Sequence, residues 1–134
     1  MATNKKIGKD FETELCEILG KHGFWAHNMA QKAEGQPADV IAVKNKLAYL
    51  IDCKVCTNNR FTITRMEENQ CLSMELWDMC GNGDGWFALK VEDEEIVMIP
   101  YPSLVELSYR QSSLNLTEIR QYGMDLERWL ELCT

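Results

Sequence analysis

The chain opens with a helical pattern of apolar residues. Between about Asn4 and His22, apolar side chains recur every three to four positions, at about 100° per residue, and form one stripe. Gly23 follows and can end the helix, because glycine adopts the left-handed conformation without steric cost. The apolar stripe contains Ile7, Phe11, Leu15, Ile18 and Leu19, and the opposite face contains Asp10, Glu14, Glu17 and Lys21.

Three predicted strands follow this helix. The first spans Phe24 to Met29 and leads into a polar loop from Ala30 to Pro37. Two further strands span Ala38 to Lys44 and Leu47 to Val55. Asn45-Lys46 connects them, and Asn tolerates the positive φ that a two-residue hairpin turn requires. The pattern therefore predicts a β-hairpin in the middle of the fold.

A second helix is predicted after the hairpin. Thr64 and Glu67 have the spacing of a capping box, which predicts a helix from Thr64 to about Cys80 before a glycine-rich segment. The later segments predict two strands around an acidic turn and then short helices. Their ranges are Trp86 to Val91, Glu92 to Glu95, Ile96 to Pro100, Ser103 to Tyr109 and Thr117 to Leu132. The predicted order is α-β-β-β-α-β-β-α, an α/β fold.

The hairpin brings two acids together. With Asn45-Lys46 at the centre of the turn, Asp39 is expected to lie opposite Asp52, with their Cβ atoms roughly 5 Å apart. Lys54 lies two residues beyond Asp52 and is expected on the same face, roughly 7 Å along the strand. Like charges at opposed positions destabilise a sheet, so this pair is unfavourable without a chemical use. The opposite face is apolar, which predicts central strands covered on both sides.

Carboxylate oxygens at the end of a rigid hairpin are typical ligands for Mg²⁺ or Mn²⁺. Such an ion removes the repulsion between the acids, polarises a phosphate and activates water, while a nearby lysine orients that water. The alternative is a solvated hairpin end with a coincidental ion pair, and spacing alone does not separate the two.

Two polar residues on the predicted helices fit the first interpretation. Glu12 lies roughly 20° from Leu19 on the helical wheel, at the edge of the apolar stripe. Gln70 is aligned with Met66, Met74 and Trp77 inside an apolar stripe. Taken singly, each also fits a simpler structure, a boundary glutamate or a hydrogen-bonded core glutamine.

Composition places the chain among ordinary globular proteins. The 134 residues are 46% hydrophobic and 26% charged, which suits one domain over residues 1–134. No apolar run reaches the length of a membrane span, and the N-terminal residues lack a signal-peptide core, so we expect a cytoplasmic protein that does not associate with membranes. The six cysteines are then expected as reduced thiols.

Charge is distributed unevenly along the chain. The net charge is -7, but residues 1–65 carry ten Lys and Arg against seven Asp and Glu, whereas residues 66–134 carry four against fourteen. A polyanion is therefore expected to contact the N-terminal half. The candidate phosphate contacts are Lys5, Lys6, Lys9, Gln31 and Lys32, although ordinary solvated side chains explain them equally well.

Two weaker signals favour structural roles. Cys53 and Cys56 have CxxC spacing, but no second pair follows, and residues three apart in a strand point to opposite faces, which disfavours a zinc site. His22 and His27 are isolated, without a serine or cysteine placed for a catalytic triad.

Four segments together resemble the PD-(D/E)XK nuclease superfamily, and they are most similar to archaeal and RecU-like Holliday junction resolvases. These segments are Gly8-Lys9-Asp10-Phe11-Glu12, Ala38-Asp39-Val40-Ile41-Ala42-Val43, Leu50-Ile51-Asp52-Cys53-Lys54, and Phe61-Thr62-Ile63 ahead of Gln70. A later strand pair, Gly85-Trp86-Phe87-Ala88-Leu89 and Ile96-Val97-Met98-Ile99-Pro100-Tyr101, is similar to RecU-like chains. The resemblance covers roughly residues 5–107 and leaves the tail from about residue 109 unassigned.

The resemblance implies a restriction-endonuclease-like fold, in which helices flank a mixed central sheet. It implies a metal-dependent endonuclease that acts on DNA, with branched DNA as substrate, Mg²⁺ or Mn²⁺ as cofactor and a homodimer as the assembly. In this chain Asp52 stands where the superfamily more often has glutamate. Pro37 lies two residues before Asp39, whereas the motif has proline immediately before the acid.

The resemblance also implies roles for individual residues. Asp39 and Asp52, with the Cys53 carbonyl, would hold one or two metal ions, and Lys54 would position the attacking water. Glu12 would support the metal or that water. Gln70 would be the glutamine that such families place on the second helix beside the site.

Two other functions stay open at this point. A catalytically silent nuclease-like module that binds DNA or protein would account for the acidic C-terminal half. A nuclease for RNA or linear DNA would use the same chemistry on another substrate. Metal-dependent cleavage separates the first from an enzyme, and a panel of substrates separates the second.

Overall fold

A six-stranded mixed sheet forms the centre of the molecule. The computed structural model describes residues 3–29 and 36–133. The strand order in this sheet is β1-β2-β3-β5-β6-β8, and β3 and β5 are parallel while every other neighbouring pair is antiparallel. The strands are β1 (Trp25–Asn28), β2 (Val40–Lys44), β3 (Leu47–Val55), β5 (Trp86–Lys90), β6 (Ile96–Pro100) and β8 (Met124–Asp125); β4 (Phe61–Thr62) and β7 (Ser113–Leu114) form a separate ribbon. The predicted α/β class with a mixed sheet is confirmed.

Helices cover both faces of this sheet. They are α1 (Asn4–Lys21), α2 (Glu68–Trp77), α3 (Tyr101–Ser108), α4 (Leu116–Tyr122) and α5 (Leu126–Leu132). One core lies between the sheet and α1 and α5, and its largest buried members are Phe11, Leu15, Leu19, Ile51, Met98 and Trp129. The other core lies on the side of α2, α3 and α4, and contains Phe61, Met74, Phe87, Leu89, Ile99 and Leu104. No helix within the described residues is long and apolar enough to span a membrane.

The first helix follows its predicted pattern closely. Thr3 caps α1 by accepting a hydrogen bond from the Lys6 N–H, and Gly23 follows the last turn with a φ of +88°. On its polar face, Glu14 is only half exposed, because Lys90 Nζ from β5 contacts Glu14 Oε1 at 2.6 Å.

The central hairpin has the predicted register. Cross-strand pairs run from Lys44 opposite Leu47 to Val40 opposite Ile51. Asn45 and Lys46 both have positive φ, 53° and 70°, as a two-residue hairpin turn with the right-handed strand twist requires.

The predicted start of the second helix is wrong. Thr64 lies in a 3₁₀ turn, and Glu67 is the residue that caps α2, with the Gln70 side chain completing the capping box. Tertiary pairing accounts for this shift. β4 pairs with β7 and the Ile63 N–H donates to the Ser112 carbonyl at 2.9 Å, so Phe61–Thr62 is held extended immediately ahead of the 3₁₀ turn.

The C-terminal residues form two helices, so the single helix predicted over Thr117 to Leu132 is wrong. The break falls at Gly123, where a Cβ atom would lie 2.6 Å from Val97 Cγ1 and 2.9 Å from the Met98 carbonyl oxygen. Only glycine permits the chain to pass this close to β6 and then pair with it as β8. The tail is part of the fold, since Trp129 packs against Phe24 with ring centroids 5.8 Å apart.

Candidate active site

Asp39 lies immediately before β2, where the regular hairpin pairing ends. Its carboxylate is buried and accepts two hydrogen bonds. The backbone N–H of Cys53 donates to Oδ2 at 2.8 Å, and Gln36 Nε2 donates to Oδ1 at 3.0 Å. The Asp39 N–H in turn donates to the Ile51 carbonyl at 3.2 Å. The aspartate is thus fixed against β3 by both its main chain and its side chain.

Asp52 lies in the middle of β3 and is fully buried. Gln70 Nε2 donates to its Oδ1 at 3.0 Å, and Lys54 Nζ lies 3.2 Å from its Oδ2. Lys54 is itself largely buried, with 12% of its side chain exposed. The strand period of two places Asp52 and Lys54 on one face of β3, as predicted, and their ion pair closes across it.

The two aspartates and Lys54 form a coupled electrostatic group. Burial raises the pKa of Asp52 well above its ordinary value, and the negative charge of Asp39 raises it further, whereas the Lys54 ammonium opposes the shift. A second cation beside these acids would favour the ionised form of Asp52 for the same reason that Lys54 does.

Glu12 reaches the same group from α1. It is buried at the helix edge that the wheel predicts. Burial and the charge of Asp39 raise the pKa of Glu12 to about 7, while Lys9, a hydrogen bond from Asn28 and Lys54 act in the opposite direction. A carboxyl group with this pKa exchanges a proton near neutral pH, which is the range in which acid-base chemistry is most effective.

The Gln70 side chain makes two hydrogen bonds, one to the backbone at the start of α2 and one to Asp52. Its Oε1 accepts the Glu67 N–H at 3.1 Å as part of the helix cap, and its Nε2 donates to Asp52. Because both ends of the amide are occupied, its orientation is fixed. The start of α2 and the position of the Asp52 carboxylate are therefore linked through Gln70.

The donor set suits a hard divalent cation. Within the described stretches, no three His, Cys, Asp or Glu side chains are grouped closely enough to form a metal site by themselves. Two carboxylates do converge, and no donor among the described residues hydrogen-bonds to the buried Asp52 Oδ2 beyond the ion pair with Lys54. Two carboxylates with a backbone carbonyl and water form a ligand set of the kind that Mg²⁺ accepts, since it retains several waters.

The other predicted residues lie elsewhere or outside the described residues. Lys5, Lys6 and Lys9 are exposed on the first turns of α1, and Lys6 pairs with Asp10 at 3.3 Å. Gln31 and Lys32 lie outside the described residues. Cys53 and Cys56 are buried, and burial raises the pKa of both thiols, of Cys56 to about 11, so neither is poised as a thiolate ligand.

One surface feature went unnoticed in the sequence. Trp25, on β1, has 63% of its surface exposed and stacks on His27, with ring centroids 5.8 Å apart and 12° between the planes. The sequence does contain a pattern that indicates this feature. Trp25 and His27 are two residues apart on a predicted edge strand, so both rings are expected on one face of it.

A mixed sheet with helices on both faces, and two acids and a lysine converging at its central hairpin, defines the restriction-endonuclease-like class of nucleases. The sequence profile of the archaeal Holliday junction resolvase (Hjc) family matches residues 3–134. The chain belongs to this family, and its function is that of a nuclease that resolves Holliday junctions. No curated protein sequence matches the chain significantly.

A solved structure shares the fold. The Holliday junction resolvase Hjc from the archaeal hyperthermophile Archaeoglobus fulgidus superposes with a TM-score of 0.70. The match covers 92% of this chain and 99% of that one, at 16% sequence identity. The similarity extends over the C-terminal helices as well, since the family profile reaches the end of the chain.

Proposed function

We propose that this chain is an Mg²⁺-dependent endonuclease that cuts the phosphodiester backbone of branched DNA at the site formed by Asp39, Asp52 and Lys54. The observation that carries the proposal is the shared environment of these side chains. Two buried carboxylates interact with one another, and a largely buried lysine contacts one of them. Such a cluster is costly for folding and is useful when it meets a cation and a phosphate.

Asp39, Asp52 and the Cys53 carbonyl would hold the divalent cation. Asp39 is anchored by the Cys53 N–H and Asp52 by Gln70, so the two carboxylates are fixed before any ion arrives. When bound, the cation supplies charge neutralisation and polarisation of a phosphate oxygen. Glu12 either completes the cation's surroundings through water or acts on the attacking water directly.

In this proposal, protein side chains orient the attacking water and accept its proton. Lys54 is placed by its contact with Asp52 to orient a water molecule and to stabilise negative charge on the phosphate. The water oxygen forms a bond to phosphorus in line and the bond to the 3′ oxygen breaks. The products are a 5′ phosphate and a 3′ hydroxyl, whose oxygen takes its proton from a solvent water. The water proton passes to a neighbouring base, and Glu12, a buried carboxylate beside these acids, is placed to accept it.

The assembly that we propose is a homodimer, since two symmetric strands of a junction must be cut. Helix α2 offers an interface for it. Leu72, Leu76 and Met79 follow one another at helical spacing on α2 and the turn after it, and 59% of Leu76 and 81% of Met79 are exposed. Exposed apolar stripes of this kind mark contact surfaces, and a two-fold axis lets one stripe serve both copies.

One cleavage experiment tests the catalytic proposal. The protein is incubated with end-labelled four-way, flap, linear duplex and single-stranded DNA and with RNA of the same sequence, in Mg²⁺, Mn²⁺ or EDTA. We expect cleavage of the four-way junction in Mg²⁺ or Mn²⁺ and none in EDTA. Binding without cleavage under every condition would indicate a silent module, and preference for RNA or linear duplex would exclude the junction as substrate.

A further inference from the structure

Two stacked aromatic rings lie exposed on β1, which is an edge strand of the central sheet. Trp25 and His27 alternate with Ala26 and Asn28 along β1, so both rings project from one face of the sheet. Ala26 and Asn28 point to the other face, where Ala26 packs into the core beneath α1. Trp25 and His27 are both exposed.

This face is the one that carries Asp52. The strand period places Leu50 on the same face as Asp52, and the register pairs Leu50 with Ile41 and Ile41 with His27. Two residues further along the strands, on the same face, Trp25 lies opposite Val43. From strand spacing and rise, the backbone of His27 lies roughly 12 Å from that of Asp52, and that of Trp25 roughly 17 Å.

These separations correspond to a few nucleotides. One strand of duplex DNA advances about 3.4 Å per nucleotide along the helix axis. A strand whose phosphate lies at Asp52 could therefore present bases to Trp25 about five positions away, or fewer if the strand is extended. The ring pair and the acids are close enough to contact one DNA molecule together.

The chain segments that form β1 and the hairpin are mildly cationic, which suits a polyanion such as DNA. Residues 21–29 and 36–51 contain three lysines, Lys21, Lys44 and Lys46, and one acid, Asp39. The whole chain, by contrast, has a net charge of -7. Lys44 lies on the opposite face of the hairpin from Trp25, as its cross-strand partner Leu47 does, and its Nζ donates to the His22 carbonyl at 2.7 Å. Its long-range charge still makes this edge of the sheet less acidic than the molecule as a whole.

It is unfavourable to leave the Trp25 ring exposed to water, and its free face can stack on a nucleic-acid base. Large apolar rings are normally buried, and the His27 ring holds the Trp25 ring in place from one side only. Base stacking on an aromatic side chain is worth about 1–3 kcal/mol and tolerates any base, because every base has a π-face. In continuous duplex the faces of the bases are covered by their neighbours, whereas stacking is interrupted at an open branch point.

We propose that Trp25, supported by His27, is a stacking platform for an unpaired or unstacked base at the branch point of the DNA substrate. The proposal rests on the proposed function in that it takes Asp39 and Asp52 as the place where DNA is cut. It assigns Trp25 to substrate recognition. A junction would thus be distinguished from continuous duplex by its accessible base faces, without any reading of sequence.

Binding measurements in EDTA test the proposal without cleavage. Fluorescein-labelled four-way junction and linear duplex of matched arm sequence are titrated with wild type, Trp25→Ala, Trp25→Phe and the control Leu47→Ala. Leu47 is also exposed, and the strand period places it on the opposite face of the hairpin. Sedimentation at the assay concentration gives the oligomeric state of each variant, and circular dichroism reports its folding.

We expect Trp25→Ala to weaken junction binding by roughly 5- to 150-fold, the range that corresponds to 1–3 kcal/mol of stacking, and duplex binding by less than twofold. Trp25→Phe retains a ring and should lose much less affinity. The junction should quench tryptophan emission in wild type, and that quenching should be lost in Trp25→Phe, which keeps Trp77, Trp86 and Trp129.

Three results would overturn the proposal: unchanged junction affinity in Trp25→Ala, an equal loss on junction and duplex, or a change of oligomeric state that makes Trp25 a contact between copies. Cleavage by wild type in Mg²⁺ is measured in a separate assay, so that the two proposals can fail independently. If wild type cuts junctions but Trp25→Ala binds them normally, only the proposal of a stacking platform is contradicted. If Trp25 is needed for selective binding but wild type does not cut in Mg²⁺, only the catalytic proposal is contradicted.

Discussion

Gln70 on α2 holds Asp52 on β3 through a hydrogen bond of 3.0 Å from its side-chain amide to Oδ1. The other end of the same amide accepts the Glu67 N–H and completes the cap of the helix. The residue that starts α2 therefore also orients a carboxylate of the candidate site. The two roles of Gln70 can be tested separately, because a substitution at Glu67 removes the helix cap and leaves the hydrogen bond from Gln70 to Asp52 in place.

Gln70→Ala is expected to destabilise the fold and slow cleavage, whereas Glu67→Ala is expected to destabilise it alone. Loss of an N-cap interaction costs about 1 kcal/mol, and Gln70→Ala also removes a hydrogen bond to a buried carboxylate. Urea unfolding and single-turnover cleavage of both variants check this. Equal losses of rate in the two variants at equal stability would make Gln70 a helix cap only.

Either aspartate should be essential for cleavage and for metal binding. Asp39→Asn or Asp52→Asn should abolish cleavage, and each should remove the rise in unfolding midpoint that Mn²⁺ gives to wild type. Without metal, Asp39→Asn is expected to be at least as stable as wild type, because it removes one of two like charges and leaves the ion pair of Asp52 with Lys54 intact. Asp10→Asn, an exposed acid of α1, is the control, and a full Mn²⁺ response in the site variants would refute the metal assignment.

Lys54→Ala should lower the rate of the chemical step by roughly 10²-fold or more, which is typical for a lost group that orients water or transfers a proton. Junction affinity in EDTA should change little, because Lys54 is largely buried in its ion pair with Asp52. Single-turnover rates and anisotropy titrations measure the two quantities. A parallel loss of affinity and rate would instead identify Lys54 as a phosphate anchor.

Glu12 gives the metal-free protein a pH-dependent stability. Its pKa is raised from 4.5 to about 7 in the folded state, so the folded protein binds the proton more tightly than the unfolded chain. The resulting stabilisation is present below pH 4.5 and is lost as the pH rises towards 7. Glu12→Gln lacks this dependence and should gain stability relative to wild type over that interval.

Urea unfolding in EDTA between pH 4 and pH 8 (roughly the window of this linkage) measures the difference. Glu17→Gln, an exposed acid on the same helix, is the control. Parallel pH profiles for wild type and Glu12→Gln would show that the Glu12 carboxyl is not held in a desolvated site.

The proposed dimer depends on α2. Leu76→Asp should convert the protein to monomers and uncouple the two cuts of a junction, because it places a charge in the middle of the apolar stripe. Leu132→Asp on α5 is a matched control, since 58% of Leu132 is exposed. Sedimentation and the cleavage of a cruciform plasmid report mass and paired cutting. A Leu76→Asp dimer would place the interface elsewhere.

Local patterns in the sequence determined the first helix, the hairpin and most of the candidate site. Residues 4–22 carry one unbroken apolar stripe, and Asn45-Lys46 fixes the register because a two-residue turn leaves one pairing for the strands. From that register the relation of Asp52 to Lys54 follows by the period of two. The positions of Glu12 and Gln70 follow from the helical period.

Tertiary structure decided what no local pattern carries. The cap of α2 was predicted three residues early, because the pairing of β4 with β7, more than fifty residues apart, holds Phe61–Thr62 extended immediately ahead of a 3₁₀ turn. The break at Gly123 depends on the closeness of β6, which the sequence around the glycine does not show. The ion pair of Glu14 with Lys90 likewise joins elements distant in sequence. Periodicity records which face of an element is buried, but the partner that buries it is chosen by the packing of the whole chain.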